Sequence, residues 1–285
     1  MGPTATLLPC GKRLHLQHGP IDLIIGADGD REAAFTAAQD RFATILDELV
    51  AELPELKLPL NSDVPKPLGH VARHMENAVR PFAADTFVTR MAAVAGGVAD
   101  TILNTMQMVP VSRAYVNNGG DIALHLAEGQ SFTLAMAGHD GAALGHIKIR
   151  HDDPIRGIAT SGRHGRSYSL GVADSVTVLA ADAAKADVAA TLIANAVDCP
   201  QHNAITRKPA SDLDDTSDLG HLPVVVGCGP LSEHDKTLAL QNGLTQTQNY
   251  MYRDLIYGAA LFLQGQSETT CPSRLILSQR TPSYA

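Results

Sequence analysis

An α+β fold is predicted by three observations. Period-two apolar alternation recurs in short runs separated by Gly-containing turns, the pattern of antiparallel hairpins. Helical stretches fall in blocks between these runs instead of alternating strictly with them, which disfavours a doubly wound parallel sheet. The chain has 285 residues, 45% apolar and 18% charged, enough to bury a sizeable core.

The elements follow in order. Residues 13–17 alternate through Leu14, His15 and Leu16 and predict a half-buried strand. Residues 21–26 predict its partner across the turn His18-Gly19-Pro20. Asp28-Gly29-Asp30 stops that strand. A helix is expected over residues 31–53, with Phe35, Phe42, Ile45, Leu46 and Leu49 on one face and Pro54 as its stop. Residues 56–68 are proline-rich and predict a surface loop, followed by a short helix near 68–79. Residues 91–108, rich in alanine and glycine, predict a helix whose small side chains admit close approach of a second backbone or a ligand. Strands are expected at 113–116, 122–126, 131–137, 145–150, 155–159 and 175–180, the last carrying the β-favouring Val176-Thr177-Val178. A helix over 182–197 and a polar loop with Asp212, Asp214, Asp215 and Asp218 come next. A strand at 222–226, buried on both faces, leads into one long helix over 232–263, packed through Leu238, Leu240, Leu244, Met251, Leu255 and Ile256. Residues 1–285 are expected to form one domain, with an echo between the Ala-rich segments near 91 and 183 and a loosely held tail after 265.

Composition excludes several functions. Lys and Arg number 22 against 30 Asp and Glu, a formal charge of −8, so no nucleic-acid partner is expected, because phosphate neutralisation dominates that affinity. Aromatic residues are 4% and Trp is absent, which argues against a base-stacking platform. Apolar runs stay short of the roughly 18–20 residues that span a bilayer, and the first ten residues lack the charged flank of a secretory signal. A cytoplasmic protein without a membrane partner is expected. Cys10, Cys199, Cys228 and Cys271 form no Cys-x-x-Cys pair and read as small buried hydrophobes of a reducing compartment. A homo-oligomer is allowed by these features and not specified by them.

Four motifs can carry chemistry. In Val116-Asn117-Asn118-Gly119-Gly120-Asp121-Ile122, two glycines after a strand either make a hairpin turn or bring backbone N–H groups up to a ligand. In Thr160-Ser161-Gly162-Arg163-His164-Gly165-Arg166, a hydroxyl pair followed by glycines and cations either holds an anion or is an exposed loop. Asp187, Thr191 and Asn195 recur at i, i+4, i+8 and share one helix face, as oxygen ligands of Mg²⁺ or as a solvated surface. His70 and His74 have the i, i+4 spacing of zinc ligands, but no third ligand accompanies them.

Taken together and in this order, the small-residue helix with Ala95, the Asn117–Asp121 segment, Thr160-Ser161-Gly162, Ser175-Val176-Thr177-Val178, and Ala186-Asp187 with Thr191 resemble the ApbE superfamily. Its best-known members are magnesium-dependent FAD:protein FMN transferases. Phe87-Val88-Thr89-Arg90-Met91 and Arg166-Ser167-Tyr168-Ser169-Leu170-Gly171 look closest to an uncharacterised cytoplasmic branch. The resemblance implies an α+β, T-fold-related architecture of two similar halves around a central cleft. It implies Mg²⁺ held by Ala95, Asp187 and Thr191. It also implies a small-molecule ligand, FAD or FMN, bordered by Asn117, Gly119, Gly120 and Asp121, with Thr160, Ser161 and Gly162 alongside. Two departures stand out. Transferases carry a Lys after the Ala where this chain has Gly96, and a His-x-x-Asp-Pro segment that has no counterpart between Arg163 and Ser175. His164 is the candidate replacement acid or base, since an imidazole titrates near neutrality. The reading is therefore a magnesium-assisted enzyme acting on a flavin, a nucleotide or a small nitrogen heterocycle. A divergent FMN transferase and a non-catalytic flavin- or ligand-binding protein are the alternatives.

Overall fold

The computed structural model describes residues 2–61, 63–84, 86–271, 273 and 275–277. The chain opens with β1 (Thr4–Leu7), β2 (Arg13–His18) and β3 (Ile21–Gly29), then α1 (Arg31–Ala51), the short α2 (Leu53–Leu56), α3 (His70–Val79) and α4 (Val94–Met106). Five strands follow: β4 (Val111–Asn118), β5 (Asp121–Leu126), β6 (Ser131–Ala137), β7 (Ala143–Arg150) and β8 (Gly157–Ser161). Next are β9 (Ser175–Ala180), α5 (Ala183–Ala196), β10 (Ile205–Pro209) and β11 (Pro223–Cys228). Last come α6 (Glu233–Tyr252), β12 (Gly258–Leu263), β13 (Gln266–Thr269) and β14 (Leu275–Leu277). Among the described residues, one sheet takes the order β1-β2-β3-β4-β5-β8-β9-β12-β13, a second β14-β7-β6, and a third β10-β11. Their pairings are antiparallel, as the hairpin pattern predicts.

Period-two alternation assigns the two faces of the main sheet. Val116, Ala123, Ala159, Val176, Val178 and Leu261 enter the core shared with α1, α3, α4, α5 and α6. Their neighbours Leu124, Ile158, Leu179, Ala260 and Phe262 point the other way, into a second core with Met136, Leu144, Ile147 and Ile149 of the small sheet. The central strands β9 and β12 are thus buried on both faces.

That double burial explains the main correction to the sequence reading. The apolar run Gly258-Ala-Ala-Leu-Phe-Leu263 does not alternate, so it was indistinguishable from helix by periodicity. The expected helix over 232–263 is in fact α6, ending at Tyr252, and β12. Asp254, in the left-handed region at φ 54°, turns the chain between them. Within α6, Leu240 is buried but Leu238 is 49% exposed, so Leu238 does not pack as expected. The strand expected at 222–226 is β11, which among the described residues pairs with β10 alone and leaves Val226 exposed, not buried on both faces. Residues 266–269 and 275–277 are strands paired with β12 and β7; residues 278–285 of the expected tail lie outside the described residues. Cys10 is exposed, contrary to its expected burial.

Arg90 fixes the proline-rich loop. It is fully buried, and its Nε and Nη2 donate to Glu76 Oε2 at 2.9 and 2.7 Å. Its remaining N–H groups reach the carbonyls of Glu55 (2.8 Å) and Pro65 (2.7 Å). Burial pushes the Glu76 carboxyl up, but hydrogen bonds from Arg80 and Arg90 outweigh that and hold it below its usual range.

Candidate functional site

A cavity of about 380 Å³ opens on the helix-covered face of the main sheet, at the strand ends. Its floor is set by two helices that meet unusually closely. A Cβ at Gly96 would lie 2.2 Å from the Ala183 carbonyl oxygen and 2.7 Å from Ala184 Cα, so α4 can dock against the start of α5 only with glycine there. The contact is reinforced by Asp100 of α4, which accepts from the backbone N–H groups of Ala183 (3.0 Å) and Ala184 (2.9 Å), two otherwise unpaired donors of the α5 N-terminus. Asp182 caps the same helix through Lys185 N at 2.8 Å.

This docking places α5 so that Asp187, Thr191 and Asn195, which share one helix face as their spacing predicts, line the cavity. Ala95, Gly119, Asp121, Thr160, Ser161 and Gly162 line it too. Gly96 N donates to Asp187 Oδ2 at 3.0 Å, and Asn118 Nδ2 donates to the Ala95 carbonyl at 3.1 Å, tying α4, α5 and the β4–β5 turn together. Asn195 is engaged with the adjoining loop: its Oδ1 accepts from Leu170 N at 2.9 Å. Asn117, Gly120 and His164 lie instead on a second, adjacent cavity of about 330 Å³, which shares Gly119, Thr160, Ser161, Gly162 and Gly165 with the first. The β4–β5 turn separates the two. Gly119 and Gly120 have φ of 67° and 116°, and Asn117 Oδ1 accepts from Gly120 N at 2.9 Å.

The electrostatics of the first cavity are dominated by two carboxylates. Burial pushes Asp121 up to about 7, against the opposing pull of a Thr160 backbone hydrogen bond and the Arg166 charge. Burial also drives Asp187 well up, and the charge of Asp121 adds to it. Cations face them from the rim. Arg166 packs so close to the β4–β5 turn that a Cβ on Gly119 would meet its Nη2 at 2.1 Å. Lys57 donates to the Thr216 carbonyl, and Thr89 donates to Asp218, drawing the loop 214–219 over the opening. Phe87 and Tyr168 are partly exposed at the cavity wall.

Several of these residues carried no usable sequence signal. The cations of 163–166 were legible as a group, but Arg166 could not be separated from Arg163, which pairs with Asp174 at 2.7 Å instead. Lys57 and the aspartate-bearing loop come from segments far apart in the chain. His74 was visible only as a partner for His70. The structure pairs it with Asp100 (2.9 Å) and places it with Asp182 in a cluster of metal-binding side-chain types, while His70 is exposed elsewhere on α3. Asp100 already accepts the α5 N–H groups and His74, so the cluster reads as a helix cap. His164 is stacked face to face on His139, ring centroids 3.6 Å apart and planes 11° from parallel. Burial, then the charge of Arg163 and His139, push the His164 imidazole down, which favours its neutral form.

The model of the family described as AbpE bacteria matches residues 5–269. The UPF0280 protein of Methanopyrus kandleri is 31% identical over 210 residues, 72% of this chain and 83% of that protein. A UPF0280 protein of Methanosphaerula palustris is 31% identical over 170 residues, 59% of this chain and 67% of its own. Among solved structures, the apo flavinyl transferase ApbE of Pseudomonas stutzeri is 12% identical, covers 95% of each chain and gives a TM-score of 0.50. An ApbE protein of Thermotoga maritima is 10% identical over 94% of this chain and 96% of its own, with a TM-score of 0.50. At such identities the likeness is one of fold. Among the described residues, no helix is long and apolar enough to cross a membrane.

Proposed function

The chain belongs to the AbpE bacteria family, and on that premise we propose that it is a magnesium-assisted enzyme acting on a flavin or another nucleotide in the carboxylate cavity. The observation that carries this reading is the juxtaposition of Asp121 and Asp187 on one cavity, two carboxylates raised by burial and, at Asp187, by the charge of Asp121 as well. Such a pair is costly unless a proton or a cation neutralises it. The surrounding donors are oxygens: the Ala95 carbonyl, the Thr191 hydroxyl and the two carboxylates, a set that suits a hard cation of the Mg²⁺ type. Bound there, the ion would supply charge neutralisation for a phosphate group. Arg166 and Lys57 would orient the same phosphate from the rim, and Thr160, Ser161 and the N–H groups of the Gly119–Gly120 turn offer hydrogen bonds to the rest of the ligand.

Of the alternatives, transfer of FMN to a protein is disfavoured by one observation. The backbone of Ala183 and Ala184 fills the space into which a side chain at position 96 would project, so no lysine can replace Gly96 without moving α5. The deciding experiment titrates FAD into the protein with and without Mg²⁺, follows flavin fluorescence, and assays AMP release. Mg²⁺ should tighten FAD binding between about fivefold and 150-fold, the usual range of coupling between two bound species. Asp187→Asn should remove that coupling. Equal Mg²⁺ dependence in the variant would remove Asp187 from the metal site, and binding without AMP release would identify a binding protein.

A further inference from the structure

The histidine pair that helical spacing offers as zinc ligands is not the set the fold assembles. His70 stays exposed on α3, whereas His74, one turn on, meets Asp100 of α4 and Asp182 at the start of α5. One ligand atom from each of these three lies within 4.8 Å of the other two. None of the three lines the carboxylate cavity. They come from separate segments, held in place by close-packed backbone. Gly97 admits α3 against α4: a Cβ there would lie 3.0 Å from Met75 Cγ and 3.9 Å from His74 Cδ2. On the other side, a Cβ at Gly157 would lie 1.9 Å from the Asp182 carbonyl oxygen, so β8 fixes the residue that caps α5.

Capping does not exhaust these carboxylates. Asp100 accepts three hydrogen bonds, from Ala183 N, Ala184 N and His74 Nε2, against about four lone-pair sites on a carboxylate. Carboxylates that ligate metals are themselves held by hydrogen bonds, and the two α5 N–H groups supply that support here. The His74 contact is the one a cation replaces. His74 Nε2 and Asp100 Oδ2 are 2.9 Å apart. Ligand atoms bound to a tetrahedral Zn²⁺ stand about 3.4 Å from each other, so the imidazole has to withdraw by about half an ångström. Its side chain is 30% exposed and faces solvent on that side of α3.

The donor set selects the metal. One imidazole nitrogen and two carboxylate oxygens suit a borderline cation of the Zn²⁺ type, whereas Mg²⁺ prefers oxygen ligands. A divalent ion between two carboxylates and a neutral imidazole leaves no uncompensated charge. The competitor is Lys185, whose ammonium lies 3.0 Å from Asp182 Oδ2 and whose partly exposed side chain can turn into water.

We propose that His74, Asp100 and Asp182 form a second metal site, of the Zn²⁺ type, that staples α3 and α4 to the start of α5 and leaves its fourth position to water. The proposal goes beyond the magnesium-assisted reading and does not rest on it.

The test titrates zinc chloride by calorimetry into the whole, untagged, chelator-stripped protein in excess Mg²⁺, which saturates an oxygen-only site. One site per chain should bind Zn²⁺, with the same affinity in Asp187→Asn. His74→Asn and Asp182→Asn should each weaken it by at least about 100-fold, the upper end of what losing a mere supporting hydrogen bond costs. Asparagine still caps a helix, so α5 persists in Asp182→Asn, and melts without metal check that both variants fold. Lys185→Gln, which removes the competing charge, should tighten binding. Zn²⁺ at about a hundredfold excess over Kd should raise the melting temperature of the unaltered chain by about 5 °C and that of neither ligand variant. Absence of such a site, its loss in Asp187→Asn, or its survival in either His74→Asn or Asp182→Asn would each overturn the proposal. The FAD titration reads the carboxylate cavity, so either reading can fail while the other stands.

Discussion

Asp121 and Asp187 are where single residues determine the behaviour of the site. Each binds its proton more tightly in the folded chain than the ordinary carboxyl value of 3.8. A carboxyl raised in this way destabilises the fold as pH rises: its contribution is intact below 3.8 and is lost by about 7, the value reached by Asp121. In EDTA, Asp121→Asn should therefore raise the melting temperature at about pH 8 and change it little at about pH 2.5, where the pair is protonated in both states. A lower melting temperature at the higher pH would mean that the two charges do not repel as their burial implies. Asp187 and Thr191 were legible in the sequence because helical spacing alone puts them on one face. Asp121 was legible only through the resemblance of its segment to a family, because nothing in the local sequence says that a strand end will meet a helix.

At the scale of elements, the position of α5 decides where Asp187 and Thr191 stand, and Asp100 decides the position of α5. Asp100→Ala would leave the N–H groups of Ala183 and Ala184 buried without partners, at roughly 1–3 kcal/mol each. Chemical denaturation should show a loss of about 2–4 kcal/mol, and a change under about 0.5 kcal/mol would mean that the cap is dispensable. His74 adds a pH term. Its hydrogen bond to Asp100 raises the imidazole above its ordinary 6.5. Its stabilisation is thus fully present below 6.5 and lost as pH rises through the folded value, so His74→Asn should lower the melting temperature more at about pH 6 than at about pH 9. No periodicity reveals such a cap, because its partners are 83 and 84 residues apart. The helices and half-buried strands were legible where one face met solvent. β12 was not, because burial on both faces erases the alternation that identifies a strand.

For the molecule as a whole, the two cores meet through β8, β9 and β12, which should therefore open last. Native-state hydrogen exchange should find the slowest amides in β9 and β12, and the fastest strand amides in β1, whose side chains are all exposed at the sheet edge. Slowest exchange in α1 or β2 would place the stable centre elsewhere. The α+β class was readable from block order, but the strand order was not, since β12 joins β9 across nearly eighty residues of intervening chain. That insertion has a consequence for synthesis. A growing chain halted before residue 258 would carry β9 with one flank unpaired, presenting Ser175–Ala180 as an apolar edge to any neighbour. The interval between translation of β9 and arrival of β12 is thus when this protein most needs a chaperone, and slow codons between them would lengthen the exposure.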